Sequence, residues 1–160
     1  MKTHLITGAG SGIGAAVADA LYGRGDQLVV VARSEGRGAE LLARWPGSVP
    51  LVADLRSTGT LAETLRSVGL PAVLDSVVHS AGVGDLSPIR DAEVEMWDSV
   101  LAINLVAPAL LTAACLPALR AGGGTVVFIN SGAGLTSHPG WSPYSSSKFG
   151  LKALADSLRG

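Results

Sequence analysis

Hydrophobic positions along the chain form short strand-like runs that alternate with longer segments of helical spacing. Strands are predicted over 5–7, 27–32, 49–53, 73–79 and 125–130. Helices are predicted over 13–22, 35–45, 58–68, 92–119 and 144–159, the fourth bent near Pro108 and the last followed by Gly160. The strand runs lack a clean apolar–polar alternation, which is typical of strands buried on both faces of a parallel sheet.

Alternation of strands and helices with short connections predicts right-handed βαβ units. We therefore expect a Rossmann-like, doubly wound parallel sheet of five strands in a three-layer α/β/α domain that occupies 1–160. In sheets of this kind, ligands bind beyond the carboxyl ends of the strands. The residues that follow each strand are therefore the first candidates for chemistry.

Composition narrows the class of protein. The chain has 160 residues, of which 48% are hydrophobic and 16% charged, so it is apolar enough to bury a core. The net charge of -1, without a Lys/Arg cluster, argues against a nucleic-acid partner. One cysteine, Cys115 in an apolar run, and no Cys/His cluster predict no internal disulfide and no metal site. Met1 leads straight into a strand pattern without a signal-peptide pattern, and we expect a cytoplasmic protein.

One segment, 99–119, carries no charge and has about the length of a membrane span. It contains Asn104, Pro108 and Pro117, and its flanks lack a basic anchor pattern. A helix buried in a protein core or between subunits is the better interpretation, so no membrane association is predicted.

A glycine-rich loop follows the first predicted strand and opens a helix. Glycines allow a tight turn there and let backbone N–H groups approach a pyrophosphate, which the helix N-terminus also attracts. An ordinary flexible turn is the alternative, and the absence of Gly-Lys-Ser/Thr excludes a P-loop. The candidate cofactor residues in this loop are Thr7, Gly8, Gly10, Ser11, Gly12, Ile13 and Gly14.

The end of the second strand bears on the choice of cofactor. An NAD site usually places Asp or Glu here, whereas this chain has Ala32-Arg33-Ser34. Arg33 is suited to a 2′-phosphate, which favours NADP over NAD, although a solvated loop arginine is the alternative. Asp54 follows the third strand and is placed either to accept from an adenine amino group or to cap a turn.

Three polar residues follow the fifth strand. Ser131 ends that strand, and Tyr144 and Lys148 lie four residues apart on the last predicted helix, so they share a face. A nearby ammonium favours the phenolate form, which suits Tyr144 to act as an acid or base. Ser131 is placed to donate a hydrogen bond to a substrate oxygen. A surface tyrosine on a lysine stem is the alternative for the pair taken alone.

These motifs together resemble the short-chain dehydrogenase/reductase family, with Thr-Gly-x-x-x-Gly-x-Gly at 7–14 and Ser with Tyr-x-x-x-Lys at Ser131, Tyr144 and Lys148. The resemblance runs over essentially the whole chain. It implies hydride transfer between NADP(H) and a small carbonyl or alcohol substrate, with Tyr144 protonating the oxygen. It also implies that Lys148 bonds the nicotinamide ribose and that Asn104 holds a water near Lys148.

The same resemblance implies further cofactor contacts. Asp54-Leu55 would contact adenine, and the family's Asn-Asn-Ala-Gly stands here as His79-Ser80-Ala81-Gly82. Ala81 and Gly82 keep the small residues that let a cofactor approach, and Ser80 is counted with them. His79 departs from the pattern and is taken as a packed strand residue.

The resemblance also implies what surrounds the site. Residues 132–143 would form one wall of the substrate pocket, with Leu135, His138 and Trp141 as candidate lining residues, although loop packing explains them equally well. The uncharged helix and the last helix are expected to build a homodimer or homotetramer.

Family members usually run to about 250 residues, so the resemblance implies a domain that stops before the last two strands and the substrate lid. The alternative function is then a non-catalytic nucleotide-binding or oligomerisation module.

Overall fold

The computed structural model describes residues 1–159, so the position predicted for Gly160 lies outside the described residues. Its five strands are β1 (Thr3–Thr7), β2 (Gln27–Ala32), β3 (Val49–Val52), β4 (Ser76–His79) and β5 (Thr125–Phe128). Its α-helices are α1 (Gly12–Tyr22), α2 (Glu35–Arg44), α3 (Thr58–Val68), α4 (Val94–Leu101), α5 (Ala107–Gly122) and α6 (Ser142–Arg159). A π-helical turn, Ala102–Val106, joins α4 to α5, and a 3₁₀ turn, Gly132–Gly134, follows β5.

All five strands are parallel and lie in the order β3-β2-β1-β4-β5. The chain thus reverses its direction of winding at β1, and β4 lies on the other side of β1 from β2. Since the carboxyl ends of parallel strands share one edge, the segments that follow β1, β2, β3, β4 and β5 meet there. The predicted fold class is confirmed.

Alternating residues of the central strands pack on the two faces of the sheet. Leu5, Val29 and Val77 join a core cluster with residues of α3 and α5. The next residues along these strands, including Ile6 and Val30, join a second cluster with residues of α1 and α2. Both faces are therefore apolar, which is why the strand runs showed no alternation.

Element positions agree with the predictions to within a few residues, with one exception. The helix predicted over 92–119 begins at Val94, ends at Gly122 and is interrupted by the π-helical turn. In that turn the Ala107 N–H donates to the Ala102 carbonyl, five residues back, so the hydrogen-bond register shifts just before Pro108. The irregularity predicted near this proline therefore takes the form of a π-helical turn.

By length and composition the helical stretch 94–122 would suffice to cross a membrane, and a soluble protein's core helix passes the same test. In this fold, Ala107, Leu111 and Cys115 are completely buried against the sheet. Helix α5 thus packs against the core, as the sequence predicted for this uncharged segment.

Strand β5 lies at one edge of the sheet. Unlike the central strands it alternates exposed and half-buried residues, and Val127 is 38% exposed. A groove beside it is lined by residues of β5 and the C-terminal parts of α5 and α6, among them Leu116, Phe128 and Leu158.

Candidate functional site

The loop between β1 and α1 passes very close to the segment that follows β4. Gly8 has φ +69°, and a Cβ added there would lie 2.5 Å from the Ala81 backbone nitrogen. Gly14 is also tightly packed, since an added Cβ would lie 2.3 Å from the Gly8 carbonyl oxygen. By contrast Gly12, at φ +54°, has open space above it. The glycines thus bring two backbone segments together and leave one face of the loop free.

A groove of about 910 Å³ runs along the carboxyl edge of the sheet. This volume lies within the range of roughly 300–1,000 Å³ that is typical of small-molecule and cofactor sites. Most of the predicted cofactor residues line the groove: Gly8, Gly10, Ser11, Gly12, Ile13, Arg33, Asp54, Leu55, Ser80, Ala81 and Gly82. The structure therefore brings together residues that follow β1, β2, β3 and β4.

Thr7 and Gly14 were also predicted to bind cofactor, but they do not line the groove. The buried Thr7 Oγ1 accepts hydrogen bonds from the N–H groups of Ser80 and Ala81, each at 3.1 Å. Its contact is with the loop after β4, while Gly14 allows α1 to pack against Gly8. Both residues therefore support the loop through packing and hydrogen bonds on the side away from the groove.

One end of the groove is charged. Arg33 is exposed at the end of β2, and Ser34 caps α2 by accepting from the Arg37 N–H at 3.3 Å. Asp54 Oδ1 accepts from the Arg56 N–H at 3.0 Å and so caps the turn after β3. Asp54 also lines the groove, so the turn-capping and ligand-binding interpretations are compatible.

Tyr144 and Lys148 lie together on α6 and were also predicted to bind cofactor, but neither lines the groove itself. Lys148 contacts the end of the groove that Gly82 and Ile129 form. The Lys148 Nζ is 5.8 Å from the Tyr144 ring centroid and donates to the Ile129 carbonyl at 3.0 Å. It is also 3.8 Å from where a Cβ on Gly82 would stand, and both Ile129 and Gly82 line the groove. Lys148 is only 5% exposed, and this burial lowers the pKa of its ammonium group.

Ser131 caps the 3₁₀ turn after β5, and this turn packs against α6. Ser131 Oγ accepts from the Ala133 N–H at 3.1 Å, which leaves its own hydroxyl proton free to donate. Gly134 lies so close to α6 that an added Cβ would be 2.8 Å from the Lys148 carbonyl oxygen. The turn that carries Ser131 is thus held directly against the helix of Tyr144 and Lys148.

The amide side chain of Asn104 joins three segments around this end of the groove. Its Oδ1 accepts from the Val83 N–H at 2.9 Å, and its Nδ2 donates to the Val83 carbonyl at 2.9 Å. The same Nδ2 donates to Ser147 Oγ at 3.0 Å, and Ser147 in turn donates to the Tyr144 carbonyl at 2.7 Å. The π-helical turn, the loop after β4 and α6 are therefore fixed by one buried side chain.

Proline at position 108 also affects the main chain of Asn104. Pro108 has no N–H, so it cannot donate to the Asn104 carbonyl four residues earlier as a regular helix would. The carbonyl oxygen thereby loses its ordinary α-helical partner. The side-chain amide of Asn104 is engaged with Val83 and Ser147, and the water expected near Lys148 stays a prediction.

His79 is a packed strand residue. It is 3% exposed, stacks on Phe128 with ring centroids 5.0 Å apart, and its Nε2 lies 2.8 Å from Thr112 Oγ1. Burial lowers the pKa of its imidazole to about 4. At the position where the resembling family has asparagine, this chain thus connects β4, β5 and α5 through a neutral ring.

Aromatic side chains lie beside Tyr144 on the segment predicted to form a substrate wall. The rings of Trp141 and Tyr144 meet edge to face, with centroids 6.3 Å apart, and His138 packs on Trp141 at 5.0 Å. Leu135 is 68% exposed. Trp141 and His138 therefore pack next to Tyr144, while Leu135 projects from the surface.

Several residues that line or support the groove were not identified from the sequence. Arg37 and Arg56 line its charged end, and Ser147 links Asn104 to α6. One signal for Arg37 exists: a cation in the first turn of a helix opposes the helix dipole and is unfavourable without a nearby anion. Ser147 carries no comparable signal, because its partner lies 43 residues away along the chain.

The sheet order, the helices on both faces and the groove at the point of reversal define a doubly wound α/β protein of the Rossmann type. The family model for short chain dehydrogenases matches residues 2–160. The chain therefore belongs to the short-chain dehydrogenase family.

Individual relatives agree with this family assignment. Human "Dehydrogenase/reductase SDR family member 4" is 34% identical over 98% of this chain. A solved alcohol dehydrogenase from the archaeon Thermococcus sibiricus, complexed with 5-hydroxy-NADP, is 28% identical, with a TM-score of 0.87 over 99% of this chain and 70% of its own. A solved 4-hydroxyisoleucine dehydrogenase complexed with NADH, at 22% identity and a TM-score of 0.83 over 99% of this chain and 68% of its own, shows the shared fold alone. The chain spans 59% of the length of the human relative.

Proposed function

We propose that this chain carries the nicotinamide-binding and catalytic residues of an oxidoreductase that interconverts a carbonyl and an alcohol. One observation carries the proposal: Lys148, with Tyr144 beside it on α6, lies next to Gly82 and Ile129, which line the glycine-bordered groove. Tyr144 would then act as the proton donor at the end of a groove whose lining suits a dinucleotide.

The groove residues fit NADP(H). The tight approach of Gly8 to Ala81 and the open face above Gly12 form a cradle that larger side chains would fill. The N-terminus of α1 attracts the pyrophosphate, and Asp54 with Leu55 would hold adenine. When bound, the nicotinamide would supply or accept the hydride. The groove residues would hold and orient the cofactor.

Tyr144 supplies the proton. In the reductive direction its phenol protonates the substrate oxygen, and in the oxidative direction the phenolate removes the hydroxyl proton. The Lys148 Nζ lies 5.8 Å from the centroid of the Tyr144 ring, so its positive charge stands beside the phenol. Ser131, whose hydroxyl proton is free, orients the substrate oxygen, and the Asn104 carbonyl would hold a water that returns protons toward Lys148.

Arg33 favours NADP(H) as the cofactor. It is exposed at the end of β2 where an NAD site would place a carboxylate, and it lines the groove. The complex of the Thermococcus sibiricus relative with 5-hydroxy-NADP supports the same choice. The aromatic pair Trp141 and His138 would contact the carbonyl or alcohol substrate, and the exposed face of α5 would contribute to a homodimer or homotetramer.

The experiment combines binding with turnover. NADPH fluorescence titration measures binding, and loss of NADPH absorbance with a panel of aldehydes and ketones measures reduction. We expect saturable binding and carbonyl-dependent NADPH loss, with Tyr144→Phe removing turnover but retaining binding. The matched control is Tyr22→Phe, a conservative change on α1 outside the groove.

Each other outcome excludes part of the proposal. Binding without turnover across the panel would favour the non-catalytic nucleotide-binding module, an alternative consistent with a chain that spans 59% of its human relative. Absence of NADPH binding would contradict both functions. Turnover that survives Tyr144→Phe would remove Tyr144 as the proton donor.

A further inference from the structure

Arg37 is the least expected side chain of the groove. It lies in the first turn of α2, where the partial positive charge of the helix N-terminus makes a cation unfavourable. The residue is nonetheless held in place from two sides and is only half exposed. Glu35 in the same turn and Glu40 one turn along offset part of this cost, so the direction in which the guanidinium group points decides what it can bind.

The contacts of Arg37 direct its guanidinium over the glycine-rich loop. Its Nη2 donates to the Gly10 carbonyl at 3.2 Å, and its Nη1 pairs with the Glu40 carboxylate one turn along α2. A Cβ added to Gly10 would collide with the guanidinium, so this loop glycine makes room for it. With two N–H groups engaged, other donors of the guanidinium fork remain available.

Arg37 shares its end of the groove with Arg33. Both line the same cavity, together with Arg56, and the carboxylates lining that end are Glu40 and Asp54. Among the described residues Arg33 forms no ion pair, whereas Arg37 is partly neutralised by Glu40. Three guanidinium groups against two carboxylates leave an excess positive charge beside the end of β2.

We propose that Arg37 is a second cation for the 2′-phosphate of NADP(H) and acts with Arg33 to discriminate NADP(H) from NAD(H). This inference rests on the proposed nicotinamide-binding function. Arg33 supplies a free guanidinium at the strand end, and Arg37 supplies one already oriented by Gly10 and Glu40. Orientation before binding reduces the entropy lost when the phosphate is held.

Paired titrations of NADP⁺ and NAD⁺ by isothermal calorimetry test the assignment without requiring a substrate. We expect Arg37→Ala to weaken NADP⁺ binding by at least about tenfold, because a charge-assisted hydrogen bond is lost, while NAD⁺ binding changes less than about twofold. Arg37→Lys should retain part of the NADP⁺ preference. The matched control is Arg44→Ala, since Arg44 lies on α2 but pairs with Asp19 and does not line the groove.

The outcomes separate this inference from the function on which it rests. An equal loss of NADP⁺ and NAD⁺ affinity in Arg37→Ala would make Arg37 a support of the Gly10 loop and overturn the inference. Unchanged NADP⁺ affinity in a variant with the wild-type circular dichroism spectrum would also overturn it. If wild-type protein does not prefer NADP⁺ and Arg33→Asp changes nothing, the proposed cofactor choice itself is wrong.

Discussion

The two ends of the parallel sheet differ in how their polar groups are used. At the amino end, side chains close the strand starts: His4 bonds Ser76 through Nδ1 at 2.8 Å and faces Asp26 through Nε2 at 3.4 Å. Asp26 also accepts from the Lys2 N–H, which lowers the pKa of its carboxyl group. At the carboxyl end, glycines and an exposed arginine border a groove of about 910 Å³.

This difference predicts that substitutions at the two ends of the sheet have different effects on stability and on ligand binding. At the amino end His4, Asp26 and Ser76 satisfy one another and so hold the strand starts together. The carboxyl end keeps backbone N–H groups and a cation exposed, which costs stability but creates a site. Changes at the amino end should therefore affect unfolding alone, and changes at the carboxyl end should affect binding as well.

The largest effect is expected from a side chain placed in the glycine-rich loop. Gly8→Val puts a Cβ 2.5 Å from the Ala81 nitrogen at a φ of +69°, so the loop must move. We expect NADPH affinity to fall by more than about 100-fold and the free energy of unfolding to fall by about 3 kcal/mol. Fluorescence titration and urea unfolding measure the two quantities.

The amino-end control for this change is Gly25→Ala. Gly25 also has a positive φ, +80°, but nothing lies within 4 Å of an added Cβ. Only backbone strain of about 1 kcal/mol is expected, with NADPH affinity unchanged. Equal losses of affinity in the two variants would show that positive-φ strain, and not the site, explains the result.

The next effect concerns the bond network that fixes the far end of the groove. Asn104→Ala removes the hydrogen bonds to Val83 and Ser147 and leaves the partly buried N–H and carbonyl groups of Val83 without their partner. We expect a loss of about 3 kcal/mol in unfolding free energy, together with weaker NADPH binding. Urea unfolding and titration check this; a stability loss with wild-type affinity would mean that the network does not shape the groove.

Much of the carboxyl end could be predicted from the sequence, because its signals are local. Glycines 8–14 lie within one loop, and Tyr144 and Lys148 lie one helical turn apart, so spacing alone places them. The hydrogen bonds of Asn104 to Val83 and Ser147 join residues that are 21 and 43 positions apart, and the periodicity of the sequence cannot predict such pairs. The π-helical turn was likewise hidden, since its shifted hydrogen bond leaves the apolar spacing of the helix nearly unchanged.

A third effect appears as a pH dependence at His79. Burial lowers the pKa of His79 to about 4, so the unfolded chain, with an ordinary histidine, binds the proton more readily below about pH 6.5. Stability from this group is complete above about pH 6.5 and is lost as the pH falls toward 4. We expect His79 to account for roughly 2 kcal/mol of the decrease in unfolding free energy between about pH 7 and pH 5.

The variant His79→Asn tests this assignment by urea unfolding at several pH values. Its stability should depend less on pH over that interval, whereas the exposed control His138→Asn should keep the wild-type dependence. A wild-type slope in His79→Asn would show that other groups cause the pH dependence in this interval.

The smallest effect is expected at the amino end and completes the comparison. Ser76→Ala removes the hydroxyl that bonds His4 Nδ1, but Asp26 remains opposite the other ring nitrogen. We expect a loss of about 1 kcal/mol in unfolding free energy and NADPH affinity within about twofold of wild type. Urea unfolding and fluorescence titration measure the two quantities. A clear loss of NADPH affinity would contradict the distinction between the two ends of the sheet, because it would show that β4 transmits a change at its start to Ser80 and Ala81 in the groove.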